Sequence, residues 1–144
     1  MKLKITIDRN REEEVLIFAH ERTRVVDEIE SLVNNNTKEL IGYLSGEARI
    51  LSPFQATCFT VENNKVYAIT DKEKLQIKLR LYQIEEMLDG SFVKINQSCI
   101  ANIKEIERFD TSLSGTLRVV FKNGYTDYVS RRNIKSVKER LGVK

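Results

Sequence analysis

Lys2-Leu3-Lys4-Ile5-Thr6-Ile7-Asp8 alternates polar and apolar residues without a break. A period of two puts one kind on each face of an extended chain, so the pattern predicts a half-buried strand. The next pattern has a longer period. Val15, Phe18, Arg22, Val25, Ile29 and Leu32 recur every three or four residues, and Ala19, Val26 and Val33 widen the stripe. This predicts a long amphipathic helix with Glu12, Glu13 and Glu14 in its first turn, where the helix dipole favours anions. Asn34-Asn35-Asn36-Thr37 is expected to end it, and Leu40–Leu44 returns to extended chain. Residues 1–43 therefore read as a strand–helix–strand segment.

From about residue 44 the texture changes to short strands. Ala48–Leu51 ends at Ser52-Pro53, where the chain must leave the strand. Thr57–Val61 and Lys65–Thr70 flank Glu62-Asn63-Asn64, a predicted hairpin turn. Leu75, Ile77, Leu79 and Leu81 alternate with Gln76, Lys78 and Arg80, predicting another strand. Ile84, Met87 and Leu88 then fit one or two helical turns closed by Asp89-Gly90, and Phe92, Ile95 and Ile100 carry a further extended stretch. Thr116–Phe121 and Tyr125–Val129 bracket Lys122-Asn123-Gly124, a strong hairpin signal because Asn and Gly tolerate positive φ. Ser130 suits the N-cap of a last helix with Ile134, Val137 and Leu141 on its apolar face and Gly142 just past its end. The fold class is mainly β with added helices, α+β.

Composition narrows the class without naming a function. The 144 residues, 41% of them hydrophobic, fit one domain with a small appendage and argue against disorder. No run approaches the roughly 18 apolar residues of a membrane span, and Met1–Asn10 lacks the apolar stretch of a signal peptide, so a cytoplasmic location is expected. The net charge of +3 says little, but its distribution says more. Residues 1–43 stand at −2 and residues 44–90 at −1, whereas residues 91–144 carry 11 basic against 5 acidic side chains. A basic third of that kind points to nucleic acid or another anionic surface, or is simply a solvated face.

Catalytic chemistry is poorly provided for. His20 is the only histidine, so a Ser–His–Asp or histidine-rich metal site has no members to draw on, and a surface position is expected for it. No phosphate-cradling glycine pattern occurs. Two cysteines are too few for a zinc site or a disulfide framework. Cys58 falls in a strand pattern and should be a small buried hydrophobe; Cys99 is expected to be partly exposed, which leaves open a thiol-switched protein. Neither metal nor cofactor is expected, and the chain does not read as an enzyme. For nucleic acid, two segments matter: Asn96-Gln97-Ser98 and Ser130-Arg131-Arg132-Asn133. Asn and Gln can pair bidentately with adenine and Arg with guanine, while Ser hydroxyls and helix N-termini suit phosphate. The plainer alternatives are a capping serine with solvated arginines, or a non-catalytic interaction module whose basic face meets an acidic protein.

Phe92-Val93-Lys94-Ile95-Asn96-Gln97-Ser98-Cys99-Ile100-Ala101-Asn102-Ile103-Lys104-Glu105-Ile106 resembles the signature of the LytTR DNA-binding domain. The Phe121-Lys122-Asn123-Gly124 hairpin and Val129-Ser130-Arg131-Arg132 before a terminal helix match in order and spacing, so the resemblance spans roughly residues 44–143. It implies a bacterial transcription regulator built of small β-sheets that inserts loops, not a recognition helix, into successive major grooves. It places Gln97 at a base-contacting position and Arg132 at the arginine that reaches bases; Asn96 is the other member of the polar pair. The turn near Asn64 and Lys65 falls on a third contact region, and Lys94, Ser98, Arg131 and Asn133 on phosphate or supporting contacts. Asn102 is expected to tie backbone. The chain departs from the pattern at Gln97, neutral where a basic residue is frequent, and at Cys99, smaller than usual. Many relatives carry a receiver domain, which 43 residues cannot hold, so residues 44–144 are expected to form the DNA-binding domain of a stand-alone regulator. The resemblance further implies a homodimer on paired or repeated promoter sites and a small membrane protein as regulatory partner. The segment at 1–43 would cap the β domain or form the dimer interface.

Overall fold

A computed structural model describes residues 1–33, 39–88, 90–111 and 115–142. From residue 40 onward the chain builds two antiparallel sheets. Ten strands alternate with short helices: β1 Leu40–Leu44, β2 Glu47–Leu51, β3 Cys58–Glu62, β4 Lys65–Ile69, β5 Lys74–Ile77, β6 Phe92–Asn96, β7 Cys99–Asn102, β8 Ile106–Thr111, β9 Leu117–Phe121 and β10 Thr126–Val129. The first seven form one sheet in the order β2-β1-β5-β4-β3-β7-β6; the last three form a second in the order β10-β9-β8. Helix α1 is Arg24–Val33, α2 is Leu81–Met87 and α3 is Ile134–Leu141. No helix among the described residues is long and apolar enough to cross a membrane.

The central strands are buried on both faces. Phe59, Ile100, Phe92, Leu75 and Ile77 point to one side and pack with Ile84 of α2, where the Phe92 ring sits 6.0 Å from Phe59 and 6.1 Å from Phe54. Cys58, Cys99, Ala101, Val93 and Ile95 point to the other and meet Val119, Phe121 and Val129 of the small sheet and Val137 of α3. Gly42 belongs where it is because a Cβ there would lie 2.9 Å from the Leu75 Cβ on the neighbouring strand.

Turn chemistry sets the registers. Glu62 pairs with Lys65 across Asn63 and Asn64, both at positive φ, so the predicted turn is a two-residue loop whose twist suits a hairpin. Ser45 and Gly46 do the same between β1 and β2, a hairpin the sequence pattern did not single out. The predicted hairpin at Lys122-Asn123-Gly124 forms with only Gly124 at positive φ. There the Asn123 amide donates to Thr57 Oγ1 (3.0 Å), which fastens the second sheet to the first. Asn102 ties backbone as expected: fully buried, it donates to the carbonyls of Phe54 (3.3 Å) and Ala56 (2.9 Å) and accepts from the Lys104 N–H.

Three expectations change. No strand forms over residues 2–8; the segment is extended but without a ladder, and Leu3, Ile5 and Ile7 are all exposed. The helix is confined to α1, because Thr23 caps its start by accepting from the Val26 N–H, so Glu12–Glu14 precede it by three turns' length rather than forming its first turn. His20 is exposed, as expected, but outside any helix. The alternation Leu75–Leu81 stops as a strand at Ile77, and Leu79 and Leu81 reach the core from the connection and from α2. The Asn34–Thr37 stop and Asp89 lie outside the described residues.

Replacing Asn102 with Leu strands two buried carbonyls and one N–H, so stability should fall by at least about 2 kcal/mol. A urea titration would show this as a lower midpoint at unchanged slope; a loss below about 0.5 kcal/mol would contradict the assigned role.

Candidate functional site

The segment Lys94–Ser98 begins as an ordinary edge strand and then breaks its own alternation. Lys94 pairs with Ile100, but Asn96 pairs with Cys99, so Ile95 is an extra residue, a β-bulge. A bulge turns two successive side chains toward the same side. Ile95 enters the core between the sheets, and Asn96 follows it toward β10 instead of pointing away.

Asn96 is then fully engaged. Its amide donates to Asp127 Oδ1 (3.1 Å) and to the Tyr128 carbonyl (2.7 Å), and its oxygen accepts from the Ser98 N–H (2.8 Å). The last bond closes the turn that presents Gln97 and Ser98, both exposed. Asn133 makes the reciprocal tie: its amide donates to the Lys94 carbonyl (3.1 Å) and its oxygen accepts from Ser130 Oγ (2.5 Å). The Ser130 N–H donates to the Ile95 carbonyl (2.9 Å), completing the seam. Ser130 precedes a single 3-10 turn, Arg131–Asn133, that leads into α3; its side chain makes no cap bond to backbone. Gly142 ends α3 in the left-handed conformation.

A second seam reaches the first hairpin. The Val61 N–H donates to the Ser98 carbonyl (2.9 Å), so the Gln97–Ser98 turn lies level with the β3–β4 tip that carries Asn63, Asn64 and Lys65. All eight residues singled out from the sequence thus fall on, or on the strand residues next to, three connected turns: Lys65 at the start of β4, Lys94 and Asn96 in β6, Gln97 and Ser98 in the β6–β7 turn, and Arg131, Arg132 and Asn133 before α3. Lys65, Lys94, Gln97, Ser98, Arg131 and Arg132 are exposed; Asn96 and Asn133 are half-buried in the joints.

Several cations are engaged within the protein. Arg108 and Arg118 pair with Asp110 on the small sheet, holding that carboxyl below its usual range, and Arg140 donates to the Gly90 carbonyl. Among the described residues, none of Lys65, Lys94, Arg131 and Arg132 has an ion-pair partner; Lys104, Lys122, Lys135 and Lys138 have none either, but the first four stand on or beside the three connected turns, Lys94 from strand β6. Tyr128, 56% exposed, stands beside them with its carbonyl held by Asn96. The sequence reading passed it over, although an exposed aromatic two residues before Ser130 was a usable signal.

Comparisons with known proteins identify the domain. The family profile of the LytTr DNA-binding domain matches residues 48–142. An uncharacterized HTH-type transcriptional regulator of Staphylococcus aureus strain NCTC 8325 is 35% identical over 99% of both chains, and one from strain MSSA476 is 34% identical over the same shares. The solved LytTr DNA-binding domain of a Bacillus cereus protein described as a methyl-accepting/DNA response regulator superposes with a TM-score of 0.68 at 18% identity. It covers 72% of this chain and 96% of that one. Despite the relatives' HTH label, no two helices among the described residues are joined by a short turn; α2 runs into β6, and α3 follows β10.

Cys99 departs from expectation. It is fully buried, as is Cys58, and a hydrogen bond with Cys58 together with burial pushes its thiol well above the ordinary range. A raised pKa leaves less thiolate at any given pH, so the surface thiol switch has no accessible sulfur to act through. The folded protein at about pH 8 should resist Ellman's reagent and release both thiols only in denaturant. Fast stoichiometric reaction of the native protein would show that the sheets do not enclose Cys99.

Proposed function

The chain belongs to the LytTr DNA-binding domain family and is a bacterial DNA-binding transcription regulator, and on that premise we propose that it reads promoter DNA through the three connected loops. The observation that carries this reading is the coincidence of four unpaired cations with a hydrogen-bonded ridge of turns. A phosphate backbone is matched by such cations, and base edges by side chains that protrude between them.

In this reading Gln97 and Arg132 contact bases: the amide offers a donor and an acceptor in one plane, and the guanidinium a fork suited to guanine. Lys65, Lys94 and Arg131 meet phosphates, Ser98 adds a hydroxyl, and Tyr128 supplies a ring and a phenol at the flank. Asn96 and Asn133 are positioning residues, since their amides are already bonded within the protein. The loops enter successive major grooves, and the protein acts as a homodimer on paired or repeated sites. It works in the cytoplasm and catalyses no reaction, with neither metal nor cofactor, because reading DNA calls for cations and amides rather than a nucleophile. A small membrane protein as regulatory partner rests on the family resemblance alone.

Selection from a random duplex pool supplies the target for testing. Arg132→Ala should cost about 1–3 kcal/mol on the selected site and relax preference at one base. Lys94→Ala should weaken all sequences alike and reduce the slope of log affinity against log salt by about one. If neither variant changes affinity, the ridge is not the contact surface. Gln97→Ala should lower affinity at unchanged melting temperature, whereas Asn96→Ala should lower both, because it opens the seam between β6 and β10. Equal melting temperatures for the two variants would remove Asn96 from its positioning role.

A further inference from the structure

Ten of the fourteen large hydrophobic side chains exposed among the described residues lie in residues 1–33. Met1, Leu3, Ile5, Ile7, Val15, Leu16 and Phe18 are each more than half exposed, and Val25, Leu32 and Val33 of α1 add to them. Apolar surface concentrated in this way marks a covered face. The first stretch is extended, ends in a turn where Asp8 accepts from the Asn10 N–H, and has the alternation of a strand without a ladder. The free edge β2 of the large sheet is an unsuitable neighbour, because Arg49 bridges Glu47 and Glu73 along it and guards it with charge.

The segment is instead complementary to itself. Read in reverse, Lys2-Leu3-Lys4-Ile5-Thr6-Ile7-Asp8 has its apolar residues at the same places, its two end charges exchanged, and Lys4 set opposite the uncharged Thr6. We propose that it pairs antiparallel with the same segment of a second copy, about a two-fold axis at Ile5. Ile5 then faces its own copy, Leu3 faces Ile7, and the two Lys2 side chains face the two Asp8 carboxylates. Three apolar side chains from each copy form one dry face, which Val15, Leu16 and Phe18 are near enough in sequence to cover.

Other pairings fail on the same chemistry. A parallel pair opposes Lys2 to Lys2 and Lys4 to Lys4, and like charges directly opposite are destabilising. Shifting the antiparallel register by two residues one way opposes Lys4 to Lys4; shifting it the other way puts Leu3 against Arg9. A one-residue slip sets every apolar side chain against a polar one. An isologous contact of this kind closes on itself and stops at the dimer. It supplies the interface for the homodimer proposed above while standing on the arm alone.

Cysteine scanning reads the register. In the full-length protein, Ile5→Cys should form a disulfide-linked dimer under mild oxidation, whereas Lys4→Cys and Thr6→Cys should do so at least about tenfold more slowly, their own copies lying one pair away. The wild-type protein, with both native cysteines enclosed, is the control. Sedimentation should show a wild-type dimer at tens of micromolar and a monomer for Ile5→Asp, which should still melt cooperatively because the side chain is exposed in the single chain. A monomeric wild-type protein, a dimer indifferent to Ile5→Asp, or equal cross-linking at all three positions would overturn the pairing. Gel shift of Ile5→Asp on a single selected site separates this outcome from the DNA reading: retained retardation leaves the ridge assignment standing whatever the oligomeric state.

Discussion

Cys58 and Phe59 are neighbours in one strand, and both are fully buried. Consecutive strand residues point to opposite faces, so the large sheet has no free face at its centre. One side is filled by α2 and the Phe54–Phe92–Phe59 cluster, the other by the small sheet and α3. That two-sided enclosure dictates where a partner can be met. Long side chains have room at the sheet edges and at the turns that interrupt the layers, and Lys65, Lys94, Arg131 and Arg132 emerge there. The same enclosure makes the cysteines inert and turns Asn102 into a structural amide.

Asparagine is the joint material of this fold. Asn123 fastens the small hairpin to Thr57, Asn102 gathers the Phe54 and Ala56 carbonyls, Asn96 joins β6 to β10, and Asn133 ties the turn before α3 to β6. An amide both donates and accepts, so one side chain can satisfy a carbonyl on one segment and an N–H on another. Replacing any of them with an apolar residue would leave groups on two segments unmatched. The net charge acquires a structural meaning beside this: part of the basic excess of residues 91–144 is neutralised on the small sheet, and Lys94, Arg131 and Arg132 stand unpaired beside the Asn96–Asn133 joint.

Most strands from Leu40 onward were legible because their period of two and their turn residues agree: Asn63-Asn64, Asn123-Gly124 and Gly142 each mark a real boundary. The segments Asn96–Ser98 and Ser130–Asn133 were legible as polar interruptions between apolar runs. What escaped has local causes. Strand β8 was missed because a register shift between Ile106 and Arg108 spaces Ile106 and Phe109 three apart, which defeats alternation. The inward turn of Asn96 depends on the bulge at Ile95, invisible in a pattern of residue types. The helix was drawn too long because Val15–Phe18 can be fitted to either period, and the decisive signal was the cap at Thr23. The alternation at residues 2–8 forms no ladder, because a period of two fits a strand but does not supply the neighbour that a strand needs.

The Asn63-Asn64 turn holds both residues in the left-handed region, and the adjoining turn is closed by Asn96. Loops built in this way are stiff, and their separation is set by sheet geometry rather than by the ligand. A stiff template shifts the work of adaptation onto the double helix. In the reading proposed above, the duplex must curve or open a groove until its own spacing matches that of the ridge, and the energy of doing so depends on which base steps lie between the contacts. Flexible pyrimidine–purine steps would yield at low cost and stiff A-tracts would resist. Base pairs that no side chain touches would then enter the recognition, through the mechanics of the DNA itself.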